Sequence, residues 1–131
     1  MIAKVIFVGR TTAEQCGPYQ DWAVISIGEP AASDGSPKIQ DGWHEVLRHF
    51  FHDIDTEQHT APNGPYVLMS EIDARDIVEF VDRVAPTIDV LMIHCRAGIS
   101  RSAAVAKWVA RRYSLAFNNR YRLYNHHVLR L

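Results

Sequence analysis

Apolar positions along this chain recur with two different periods, and the two alternate. Residues 4–8 are a β-branched and aromatic run (Lys4, Val5, Ile6, Phe7, Val8) stopped by Gly9, which predicts a strand. Residues 22–27 (Trp22, Ala23, Val24, Ile25, Ser26, Ile27) predict a second, ended by Gly28 and Pro30. Residues 45–51 carry Val46, Leu47, Phe50 and Phe51. Positions 46, 47 and 50 would also share a helical face, but the Phe pair and the lack of a helix stop favour a third strand. Further on, Ile72, Ile77, Phe80, Val81 and Val84 form a stripe at near-helical spacing. Ser70 stands before it as an N-cap, with Asp73 completing a near capping box and Pro86 ending the helix. Residues 89–93 predict a buried strand centred on Leu91 and Ile93, and Ala103, Val105, Ala106, Trp108, Val109 and Tyr113 a mostly apolar helix.

Between these segments the chain is punctuated by turn formers. Thr11 or Thr12 would cap a short helical turn that stops at Gly17-Pro18, and residues 31–42, rich in Ser, Asp, Gly and Pro, read as a surface loop. A second loop covers 58–65, and the tail, 117–131, would form a last helix with Tyr121, Tyr124, Val128 and Leu131 along one side. Strand and helix alternate, so the expected class is α/β: a mostly parallel central sheet of about four strands flanked by helices. With 131 residues, no internal repeat and no boundary-like stretch, the chain reads as one domain, 1–131. In such a fold, sites lie at the carboxyl ends of the strands.

Composition narrows the partners. Fourteen Lys and Arg against fifteen Asp and Glu give a net charge of −1, which disfavours nucleic acid as a ligand. Local basic density nonetheless gathers at Arg96, Arg101, Lys107, Arg111 and Arg112, the last two read as a solvated helix end. The two cysteines, Cys16 and Cys95, make no disulfide framework. Residues 1–8 are too short for a secretory leader, and no run is long enough to span a membrane, so a reduced, cytoplasmic protein without membrane association is expected. His44, His49, His52 and His59 lack metal-ligand spacing, and no metal is expected. Nothing in the sequence specifies an oligomeric state.

The stretch that carries chemistry is residues 93–102, IHCRAGISRS. A strand leads in and a helix leads out, so the intervening loop would turn its N–H groups inward beside the positive end of a helix dipole, a cradle for an oxyanion. A thiol in that bowl would be held as thiolate, well below the usual pKa of about 8.5, and as an exposed, activated thiol it would be the first to oxidise. Cys16 reads as an ordinary loop thiol, with a redox partnership to Cys95 as the alternative. Arg96 would point outward, toward an acidic substrate group.

His94, Cys95, Gly98, Arg101 and Ser102, in the order His-Cys-x-x-Gly-x-x-Arg-Ser, resemble the signature of the cysteine-dependent protein tyrosine phosphatases. The short chain and the motif's place in its last third resemble the compact dual-specificity branch. The likeness runs from about residue 51 to 113. It implies a phosphotyrosine-phosphatase-like fold and a cofactor-free hydrolysis of phosphomonoesters through a phosphocysteine. On that resemblance, Cys95 is the nucleophile and Arg101 the fork that binds two phosphate oxygens. Backbone N–H groups of Arg96, Ala97, Gly98, Ile99, Ser100 and Arg101 would cradle the other oxygens. Ser102 would assist the departing thiolate, and His94 would support the loop. The family also needs an aspartic acid. Asp53 is favoured because it follows the third strand most directly, and Asp55 stays open because it would point the same way in an extended segment.

The expected partner is a phosphorylated protein, through phosphotyrosine and with phosphoserine or phosphothreonine open, or a small phosphomonoester. A phosphoinositide or RNA 5′-phosphate substrate is the alternative. The loop's basic residues are Arg96 and Arg101, without the lysines common in phosphoinositide relatives. Two other classes compete: a phospho-ligand binding module of the same fold, and a sulfurtransferase that carries a persulfide on Cys95.

Overall fold

The computed structural model describes residues 1–28, 37–50, 70–96, 101–117 and 128–129. Four strands, β1 (Lys4–Gly9), β2 (Trp22–Gly28), β3 (Glu45–Phe50) and β4 (Val90–Cys95), form one sheet in the order β1-β4-β2-β3. Every pairing is parallel. Helix α1 (Arg10–Gln15) lies between β1 and β2 in sequence, α2 (Glu71–Val84) between β3 and β4, and α3 (Arg101–Tyr113) follows β4. The expected α/β class with a four-stranded sheet is what the chain adopts.

Apolar content sorts the strands. In β4 every residue after Val90 is buried, and in β2 every residue after Trp22, so these two occupy the centre with both faces covered. β1 and β3, with partly exposed patterns, take the edges. Side chains alternate across the sheet. Ala23, Ile25, Ile27, Leu91, Ile93 and Cys95 join the larger core, with Ile77, Phe80, Val81 and Val84 of α2 and Ala104, Val105 and Val109 of α3. Val24 and Met92 point the other way, against Ala13 of α1, Ile39 and Trp43.

Helix α2 begins as the sequence predicts. Asp73 N–H donates to Ser70 Oγ (3.1 Å) and Ser70 N–H to Asp73 Oδ2 (2.8 Å), a full capping box. Its apolar stripe departs from expectation at Ile72, which is 68% exposed. Position 72 lies half a turn from Val81 at about 100° per residue, while Ala74 lies on the buried side and packs against the core. The cap of α1 is Gly9, not Thr11 or Thr12, because the helix starts directly off β1 and leaves both threonines exposed inside its first turns. Helix α3 starts at Arg101, two residues ahead of its apolar stripe, since Arg101 and Ser102 are buried despite being polar. Arg111 and Arg112 are exposed, as expected of a helix end, and Arg112 also has a partner: Nε and Nη2 grip Asp82 of α2 at 2.8 and 2.6 Å, and Tyr113 Oη donates to the same carboxylate. Arg112 first, then Tyr113, hold the Asp82 carboxyl below its ordinary pKa. Of the expected tail helix, residues 128–129 are helical and 118–127 and 130–131 lie outside the described residues.

Under the small core, Gly17 has φ +66°, and a Cβ there would lie 2.6 Å from Cη2 of Trp43. That ring is itself buried, so it has little room to yield. Gly17→Ala is expected to cost about 2 kcal/mol and lower Tm by roughly 5–10 °C. Thermal unfolding followed by circular dichroism measures this, and an unchanged Tm refutes the fit described.

Candidate active site at the carboxyl end of the sheet

The site grows from the end of β4. Because β1, β2 and β3 run parallel to β4, all four carboxyl ends point the same way. Cys95 is the last residue of β4, paired in register with Gly9 of β1. One step later, Arg10 N–H donates to the Arg96 carbonyl at 3.0 Å, which ties the start of the loop to the end of β1. Arg96 is exposed, as expected of a side chain at the mouth. Ala97, Gly98, Ile99 and Ser100 lie outside the described residues.

The chain re-enters at Arg101, the first residue of α3, and the helix returns Ser102 to Cys95: Sγ and Oγ stand 3.2 Å apart. Cys95 is 2% exposed, so the expectation of an exposed thiol is corrected. Period-2 alternation turns it inward onto the α3 side of the sheet, and the thiol forms a floor, not a rim. Arg101 is 3% exposed. A guanidinium cannot shed its charge on burial, so Arg101 brings a permanent cation into the first turn of α3, where the helix dipole is also positive. Thiol and hydroxyl are in contact, and the buried Arg101 precedes that hydroxyl by one residue. Together they can stabilise a thiolate and bind a tetrahedral oxyanion.

His94 faces the opposite side. Its Nε2 lies 2.6 Å from Ser26 Oγ, with both residues buried. Burial pushes the imidazole down to about 4; the Cys95 backbone and the Glu14 carboxylate oppose the change, while Arg10 and Arg48 add to it. At neutral pH the ring is therefore uncharged. Glu14 also accepts from Lys38 N–H at 2.6 Å and from Arg10 Nε at 3.2 Å. These contacts, with the Lys38 backbone bond foremost, keep its carboxyl ionised below the ordinary value.

Asp53 and Asp55 lie outside the described residues. The strand before them, β3, stands two strands from β4, about 10 Å across the sheet. At its carboxyl end, His49 Nδ1 meets Asp73 Oδ1 at 2.9 Å and Nε2 lies 3.6 Å from Asp76 Oδ2. Among the described residues no group of three or more His, Cys, Asp or Glu side chains is placed to hold a metal ion. Neither cysteine is in a disulfide.

Three residues near the site or on its helix were missed by sequence reasoning. Ser26 had one legible signal, a polar residue inside an otherwise apolar central strand. Glu14 had none, since its partners come from a distant segment. Lys107, within an apolar helix, is only 6% exposed, where the sequence reads it simply as part of the local basic density. Comparison with known proteins finds no matching family model, no matching curated protein and no matching solved structure.

Proposed function

We propose that this chain is a phosphatase of the tyrosine or dual-specificity type, hydrolysing phosphomonoesters through a phosphocysteine on Cys95. The observation that carries the reading is the Cys95–Ser102 contact of 3.2 Å at the β4–α3 junction, with Arg101 buried in the same turn. In the first step the Cys95 thiolate attacks phosphorus in line, an S–P bond forms and the ester P–O bond breaks. The departing oxygen takes a proton from Asp53, or from Asp55. In the second step water attacks phosphorus, the same carboxylate accepts its proton, and the S–P bond breaks. Ser102 Oγ donates to the thiolate as it leaves. Arg101 binds two equatorial oxygens throughout and follows their charge into the transition state.

The substrate is a phosphorylated protein or a small phosphomonoester. Among the described residues no helix is long and apolar enough to cross a membrane. We place the protein in the cytoplasm, where a free, activated thiol stays reduced.

The test is hydrolysis of p-nitrophenyl phosphate by the wild-type chain, with acid quenching and mass spectrometry of the peptide that holds Cys95. A phosphorylated Cys95 is expected. Absence of both turnover and adduct, with phosphopeptide binding retained, would instead make the chain a binding module. On an alkyl phosphate, Asp53→Asn is expected to lose roughly 10²-fold in turnover. If Asp55→Asn loses it and Asp53→Asn does not, the acid is Asp55.

A further inference from the structure

Helix α3 ends in a Schellman turn. Ser114 takes φ +54°, the left-handed region, and Leu115 N–H donates to the Ala110 carbonyl at 2.9 Å. That bond reverses the chain and returns residues 115–117 beside the helix face that carries Lys107, Ala110 and Arg111, spaced i, i+3 and i+4. The Phe117 ring stands 5.9 Å from that of Phe7 on β1, and both Leu115 and Phe117 pack against the larger core. Between helix and returning chain lies a cavity of about 280 Å³, lined by Lys107, Ala110, Arg111, Leu115, Ala116 and Phe117. Cys95, Arg101 and Ser102 are not part of its wall.

Of these six described residues two are cations and none is acidic. Lys107 and Ala110 are buried and form the floor, while Arg111 and Ala116 are exposed and form the rim. The neighbouring Arg112 turns to Asp82 of α2, which leaves Arg111 as the rim's cation. Basic residues in a last turn also answer the helix dipole, and that accounts for Arg111. It does not account for Lys107, which stands well before the last turn, beyond the reach of that effect. The dipole's negative end amounts to about half a charge, against two full positive ones, so the cavity favours anions. Like charges four residues apart on a helix repel, and an ammonium has three N–H donors to satisfy. An anion in the cavity serves both needs.

We propose that this cavity binds a small organic anion with an apolar body of about two rings, its charge toward Lys107 and Arg111 and its body against Leu115, Ala116 and Phe117. The size follows from the volume: a cavity of about 150 Å³ takes one benzene ring, and this one is nearly twice as large. A bare inorganic ion would leave the apolar wall uncovered, and a neutral ring system would make no use of the two cations. Only the amphipathic anion uses the whole lining. The site does not depend on the phosphatase reading, and its test involves no turnover.

The probe is naphthalene carboxylate, titrated into the full chain and followed by amide and methyl chemical shifts. Changes are expected at Ala110, Leu115, Ala116 and Phe117, with a Kd on the order of 0.1 mM. Naphthalene carboxamide, neutral and of the same shape, is expected to bind roughly tenfold more weakly. Arg111→Gln and Lys107→Met are each expected to weaken the carboxylate roughly tenfold and leave the carboxamide unchanged. Ala116→Trp, which fills the mouth from an exposed position, is expected to abolish binding of both. Should Lys107→Met fail to fold, Arg111→Gln and the carboxamide decide, since Arg111 is exposed. Equal affinity for carboxylate and carboxamide overturns the proposal. So do changes confined to Cys95, Arg101 and Ser102, the same changes produced by inorganic phosphate alone, or none at about ten times the expected Kd.

Discussion

Cys95→Ser is expected to leave no measurable turnover of p-nitrophenyl phosphate, and Arg101→Lys to lower kcat by roughly 10²–10³-fold. The two losses have different physical origins. Serine keeps the size of the side chain and a contact to Ser102, but its hydroxyl is not ionised near neutral pH, so no S–P bond can form. Lysine keeps the charge of Arg101 and loses the planar fork that matches two phosphate oxygens. It also has to bury an ammonium where the arginine is 3% exposed. Because the fork binds most tightly when charge spreads over the equatorial oxygens, the loss falls on kcat more than on KM. Steady-state kinetics of both variants, with circular dichroism to confirm folding, makes the test. Full activity in Arg101→Lys would mean that the guanidinium is structural, and the proposed mechanism would fall.

The second large effect is on stability. The unfolding free energy is expected to drop by about 2 kcal/mol between pH 7 and pH 5, and by about 3 kcal/mol at pH 4, through His94 alone. The ring's pKa falls from 6.5 in the unfolded chain to about 4 in the fold. Between those values the unfolded chain binds a proton that the folded chain refuses, so acid favours unfolding. The contribution is whole above 6.5 and erodes as pH falls toward 4. Glu14 and Asp82 have lowered carboxyl pKa values, from 4.5 and 3.8, so their contributions are lost only at still lower pH. Among the described residues with shifted imidazole or carboxyl groups, the interval from 6.5 to 5 is therefore that of His94. Urea unfolding at several pH values, on the wild type and on His94→Asn, measures it. A wild-type slope equal to that of His94→Asn would show that the buried ring is not the cause.

These two expectations mark how much of the site could be read along the chain. The spacing of Cys95, Gly98, Arg101 and Ser102 is local, so a strand, a tight loop and a helix bring its ends together with little help from elsewhere. The Cys95–Ser102 contact is of that kind. His94 is not. Its burial beside Ser26 and the charges that act on it from Glu14, Arg10 and Arg48 come from residues between 46 and 84 positions away in sequence, brought to it as β2 pairs with β4 and α1 closes over that face. Arg112 makes the same point on the surface. As one of two adjacent arginines at a helix end it looked solvated, and Asp82, thirty residues earlier, gives it a partner.

By itself the sequence determined the alternation of strands and helices, the capping box at Ser70 and Asp73, and the motif that joins β4 to α3. Each of these rests on periodicity or on contacts within a few residues, where the chain's own geometry leaves few alternatives. The tertiary structure alone decided the strand order β1-β4-β2-β3, the turn of Cys95 inward to a floor and of His94 to the opposite face beside Ser26. Those outcomes depend on which apolar faces are buried against which, a sum over long-range contacts that no local pattern records.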